Sequence, residues 1–251
     1  MKVFRALLLP ALLIALAEIG ARLGGPSDAV APPSNVAVAL VGALADGSLL
    51  ADTRDTLISA FGGLAIGAGI GFVFGLLLGA APTLDKLMEL TIEVLRPIPS
   101  VAVIPIALVA LGFGYSLEIS IVAFACVWPL LVLTRAAVRG VEPRLIEVAQ
   151  ALRLSPFDRV AKIVTPASLP RVFVAFRLAA GISLIVAVTV EIAVNPRGLG
   201  NGVMTAGQAL RPELMLAYLV WIGIVGYALN EGLVLAQARL FGRAAQLEEA
   251  R

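Results

Sequence analysis

Histidine is absent from the 251 residues, and cysteine occurs once, at Cys126 within an apolar run. The usual zinc and disulfide frameworks therefore have no ligands here, and Cys126 reads as a small packing residue. Charge is scarce as well: Asp, Glu, Lys and Arg make up 14% of the chain, against 60% hydrophobic residues. A soluble domain of that composition would have no polar coat. No GxxxxGK[ST] run occurs, so the chain carries no phosphate-cradling loop of its own. The net charge of +2 is too small to imply nucleic acid as a partner. A mean hydropathy of +0.99 points to a polytopic, all-α membrane protein.

A spanning helix needs roughly 20 mostly apolar residues. Six such segments are expected, at about 4–23, 56–81, 97–113, 117–138, 172–194 and 214–238. The third is short and interrupted by Pro97, Pro99 and Pro105, and broken helices persist in a bilayer only where protein buries them or a cavity runs beside them. With the N-terminus inside, 15 of the 19 Lys and Arg residues fall on the cytoplasmic side. That bias predicts cytoplasmic N- and C-termini. A rival reading of the start is a signal peptide cleaved after Ala29-Val30-Ala31, but the apolar run ends well before that motif.

Between the spans, residues 24–55 form the longest external loop, with an amphipathic helix expected from Ser34 to Leu50. The second span carries Gly63, Gly67, Gly71, Gly75 and Gly79 at a spacing of four. Such a ladder allows close helix packing, or else a sliding or pore-lining face. Residues 83–95 read as an amphipathic cytoplasmic helix, and Asn195 to Gly202 as a glycine-rich external turn. No internal repeat supports a pseudo-symmetric secondary transporter.

The one long polar interval between apolar runs is Glu147 to Pro170, where Val148, Ala151, Leu152, Leu154, Phe157 and Val160 interleave with charges at helical spacing. Ser155 is a plausible N-cap, Pro156 suits the first helical position, and Asp158 favours a helix N-terminus. The interval is expected to be two short helices with a sharp joint, shaped for a partner. No constellation supports catalysis, and no carboxylate pair has a convincing spacing within a span. Glu191 is the one acidic residue deep enough in a span to need explaining; Glu18 and Glu118 are placed near outer ends. Ser59, Ser100, Ser183, Thr189 and Glu191 are the candidate lining of a polar path, although such hydroxyls commonly bond to their own helix backbone. No Lys or Arg sits clearly at mid-membrane.

The same interval resembles the cytoplasmic loop of permease subunits of binding-protein-dependent ABC importers, E-A-A-x3-G-x9-I-x-L-P. Here the frame reads Glu147, Val148, Ala149, then Arg153 at the glycine position, Ile163, Thr165 and Pro166. Arg96-Pro97-Ile98-Pro99-Ser100, Leu111-Gly112-Phe113-Gly114 and Gly198-Leu199-Gly200 extend the likeness to the nitrate, taurine and alkanesulfonate branch. The resemblance implies a type I importer permease fold over residues 34–240, after an N-terminal segment 1–33 and before a cytoplasmic tail 241–251. It implies two ATPase subunits, an extracytoplasmic solute-binding protein, a second copy of the chain and no cofactor. Glu147, Val148, Ala149, Ala151, Arg153, Leu154, Ser155, Pro156 and Asp158 would then form the ATPase-coupling element. A self-sufficient secondary transporter or channel is the alternative.

Overall fold

The computed structural model describes residues 2–24 and 30–242, with side chains from Leu8 onward. Ala29 of the cleavage motif, the side chains of Lys2 and Arg5, and tail residues 243–251 lie outside the described residues. Among the described residues every regular element is helical. Helix α1 (Lys2–Leu23) is followed by α2 (Pro33–Ala45), α3 (Ser48–Ala80) and α4 (Pro82–Leu95). A 3-10 turn (Ser100–Val103) leads into α5 (Ile104–Leu111), then α6 (Tyr115–Arg139), α7 (Pro143–Ala151) and α8 (Pro156–Arg159). A π-helical turn (Val160–Val164) joins α8 to α9 (Thr165–Ala193), before α10 (Gly198–Gln208) and α11 (Pro212–Phe241).

Four helical runs are long and apolar enough to cross a membrane, and α4 with the 100–111 segment makes a fifth, bent by 82°. Helix α1 has 22 residues, sufficient for a sixth, and its described apolar side chains are largely exposed. It meets α2 through Glu18, which accepts hydrogen bonds from the Ser34 amide (2.9 Å) and hydroxyl (2.8 Å). The expected helix 34–50 stops at Ala45 because Gly47, at φ +82°, turns the chain. Helix α3 therefore begins at Ser48, eight residues before the expected span.

The core forms where α3, α6 and α9 pack side by side, around Leu64, Ile121, Val122, Leu130, Ala179 and Val190. The glycine ladder of α3 is the reason they approach so closely. A Cβ at Gly67 would lie 2.5 Å from the Ala123 carbonyl oxygen, at Gly71 2.6 Å from that of Val127, and at Gly75 2.7 Å from that of Leu131. The ladder is a packing seam against α6, which removes the sliding-face alternative.

Polar ties pin both ends of this bundle. At the end where α7 and α8 emerge, the buried Asp85 of α4 pairs with Arg135 (3.0 Å) and Arg139 of α6. Two guanidiniums on one buried carboxylate supply the compensation that a desolvated charge requires. At the opposite end, Asn195 donates to the Glu118 carboxylate (2.6 Å), and the Thr56 hydroxyl accepts from the Leu199 amide (2.9 Å).

Candidate coupling loop and translocation path

Helix α7 starts with Pro143 at a position where its missing N–H costs nothing. It ends in a Schellman motif: the Leu154 amide donates to the Ala149 carbonyl (3.0 Å) and the Arg153 amide to that of Gln150 (2.9 Å). The motif demands a left-handed residue after the last turn, and Arg153 fills it at φ +48°. Glycine would occupy that position without strain. Two residues on, Ser155 caps α8, its hydroxyl accepting from the Asp158 amide (3.1 Å). Lys162, at 2.7 Å, and the Ser155 hydroxyl hold the Asp158 carboxyl below the usual carboxylate range.

The second half of the loop is not a separate short helix. The π turn carries the chain from α8 into α9 without a gap, so the run that begins at Pro156 enters the span directly. Pro166 and Pro170 are both accommodated, Pro166 in the first turn of α9 and Pro170 inside it.

Around the joint, Glu147, Ala151, Ser155 and Pro156 are exposed, and Leu154 and Asp158 are half-buried. Ala149 departs from expectation. It is 1% exposed and faces its own chain, so it does not present a surface to a partner. The outward apolar side chains are Val148 (50% exposed), Leu152 (65%) and Phe157 (80%). Leu152 and Phe157 were not among the expected coupling residues; their helical interleaving was visible in the sequence, but not their direction.

The expected path residues separate. Ser59 and Ser183 are buried in helix packing, and the Ser183 hydroxyl donates to the Ala180 carbonyl (2.8 Å) of its own helix. Thr189 likewise donates to the Ile185 carbonyl (2.7 Å). Glu191 is buried, accepts from the Gly200 amide (2.8 Å) and lies against Glu118, which stands in the first turn of α6, at the end expected to be outer, but is fully buried there. The two carboxyls meet from α6 and α9, a pairing that no spacing within one helix could announce. Of the five, Ser100 lines a cavity, in company with Arg96, Phe124 and Trp128. The 195–202 stretch is no simple turn either: α10 starts at Gly198 and its first residues are buried. Gly198 has φ +84°, and the Glu191 carboxylate occupies the space that a Cβ there would need.

A bundle with a capped, outward-projecting helical joint between two spans matches a known family. The sequence profile described as "Binding-protein-dependent transport system inner membrane component" matches residues 67–244. The chain belongs to this family. It is therefore a multi-pass inner-membrane transport component, which is the reading carried by the motifs at Glu147 and Arg96. Within the family it is 31% identical over 186 residues to the bicarbonate transport system permease protein CmpB of Synechococcus elongatus, covering 74% of this chain and 67% of that one. It is 28% identical over 192 residues to the taurine transport system permease protein TauC of Escherichia coli, covering 76% and 68%. It is 29% identical over 169 residues to the nitrate import permease protein NrtB of Synechocystis, covering 67% and 61%. Among solved structures, a chain of the inward-facing MetNI methionine ABC transporter superposes with a TM-score of 0.68, at 23% identity, over 78% of this chain and 95% of that one. The inner-membrane component thus has the all-helical type I importer permease fold.

Proposed function

We propose that this chain is the permease subunit of an ABC importer for a small inorganic or organic oxyanion, in the class of nitrate, bicarbonate, taurine and sulfonates. The similarity to permeases named for those solutes supports the substrate class. One observation carries the coupling mechanism: the Schellman joint at Arg153 links α7 closely to α8, and α8 continues into the α9 span. Val148, Leu152 and Phe157 are the exposed apolar side chains that a partner would bury. Two ATPase subunits engage this face on two copies of the chain, and closure of the ATPases moves α9 through the joint. Glu147 contributes a rim charge, while Arg153, Ser155, Pro156 and Asp158 hold the geometry. A solute-binding protein delivers the anion at the opposite, extracytoplasmic end. The α7–α8 loop and both termini are cytoplasmic, and residues 34–240 form the transmembrane domain.

Hydrolysis belongs to the partner, so the purified chain alone neither binds nor turns over ATP. With its cognate ATPase and binding protein in proteoliposomes, it takes up nitrate, taurine or bicarbonate in an ATP-dependent manner. Hydrolysis that persists after every copurifying ATPase is removed, or uptake that needs no ATPase, overturns the reading in favour of a self-sufficient transporter.

A further inference from the structure

Two cavities share one wall at Arg96. The larger, of about 600 Å³, opens at the α7–α8 end and is lined by Glu89, Glu93, Arg96, Arg135 and Arg139. Its charges balance, since Asp85, Glu89 and Glu93 offset the three guanidiniums. The smaller, of about 300 Å³, is lined by Ser100, Phe124, Trp128, Ile182 and Val186, with Arg96 as its only charged residue. Trp128 lies halfway along α6, 13 residues after Tyr115 and 11 before Arg139, so this cavity sits at mid-depth.

The break in the helix brings Arg96, itself exposed, to the edge of that cavity. Pro97 and Pro99 end α4 and tilt the 100–111 segment by 82°, which leaves Arg96 at the elbow. A guanidinium at mid-membrane is costly unless it faces a polar cavity or a counter-charge. Among the described residues Arg96 has neither an ion pair nor a side-chain hydrogen bond. The planar fork of N–H donors matches two oxygens of a trigonal or tetrahedral oxyanion. The Ser100 hydroxyl lines the same cavity, and the Trp128 indole N–H in its wall has no acceptor.

We infer that Arg96 and Ser100 form a binding subsite for a small oxyanion at mid-membrane, on the path between the two cavities. This rests on the importer reading above and adds to it the residue that recognises the solute's charge. It departs from the expectation that no basic residue sits clearly at mid-membrane.

The test uses two readouts. In the full chain carrying Trp221→Phe, Trp128 is the only tryptophan. Nitrate titrated into that protein in nanodiscs should quench its fluorescence with a saturable component that methanesulfonate competes away, while neutral acrylamide quenches linearly. Arg96→Gln should abolish the saturable component, and Arg96→Lys should weaken it. In proteoliposomes of the whole complex, Arg96→Gln should lower nitrate uptake by about tenfold or more, as expected for loss of a charge-assisted bidentate contact. Assembly is checked by copurification of the ATPase. Arg96→Lys should recover only part of the rate; full recovery would mean that the positive charge serves topology, and would overturn the subsite. Uptake and quenching unchanged in Arg96→Gln would overturn it as well, leaving the importer reading intact. Saturable, Arg96-dependent quenching in a wild-type complex that transports none of the oxyanions would leave the subsite standing and sink the substrate class instead.

Discussion

Arg153 occupies a backbone conformation that costs a side-chain-bearing residue about 1 kcal/mol relative to glycine. Its φ of +48° arises from the Schellman bonds of α7, which also require Leu154 to turn back over Ala149. Arg153→Gly should therefore raise the thermal midpoint of the purified permease and tighten ATPase docking by a few-fold; weaker docking would show that the arginine itself contacts the partner. The neighbouring residues divide by direction. Phe157→Ala should leave insertion and folding intact while weakening ATPase copurification by about tenfold, because an exposed aromatic that a partner buries carries much of an interface. Ala149→Trp should instead lower folded yield by itself, since an indole cannot enter a site already packed by the chain. If detergent-stable Ala149→Trp protein is obtained in normal amounts, the burial of that site is misassigned.

At the scale of elements, α3 and α6 share the most extensive helix–helix contact among the described residues. Backbone carbonyls of α6 sit where side chains of α3 would begin, at Gly67, Gly71 and Gly75. Gly71→Leu should force the helices apart, costing roughly 1–3 kcal/mol or more by overpacking. It should separate the Asp85 tie from Arg135 and Arg139 and lower the thermal midpoint. Normal stability in this variant would mean that the seam is looser than its geometry. The opposite end is held by buried polar contacts among Thr56, Glu118, Glu191, Asn195 and the start of α10. The Glu191 carboxylate fills the space left by Gly198 and accepts from the Gly200 amide, which ties α9 to the start of α10.

For the whole molecule, the distribution of Lys and Arg predicts the orientation proposed above. Single cysteines at Lys162 and Ser48, in a chain with Cys126 replaced by alanine, should be labelled from opposite faces of sealed vesicles, with Ser48 outside. Both positions are exposed, so labelling reports sidedness and not burial. Labelling from one face only would discard the orientation and, with it, the cytoplasmic placement of the coupling joint.

The sequence by itself determined the class, most of the spans, the Ser155 cap and the family. Those depend on composition, on apolar length and on residues adjacent in the chain, all of which act locally. It also marked position 153 as the departure from a glycine pattern, and the backbone there proved left-handed. Only the tertiary structure decided which side chains face outward. Ala149 and Phe157 lie eight residues apart on either side of a turn, and the turn's geometry sets one inward and the other outward. Glu118 and Glu191 met because α6 and α9 pack together, and Arg96 came to line one cavity with Phe124 and Trp128 because the helix breaks beside it with an 82° bend. Hydropathy counts such residues by their position along a strand of sequence, whereas depth and direction are set by the packing of helices that are distant in that sequence.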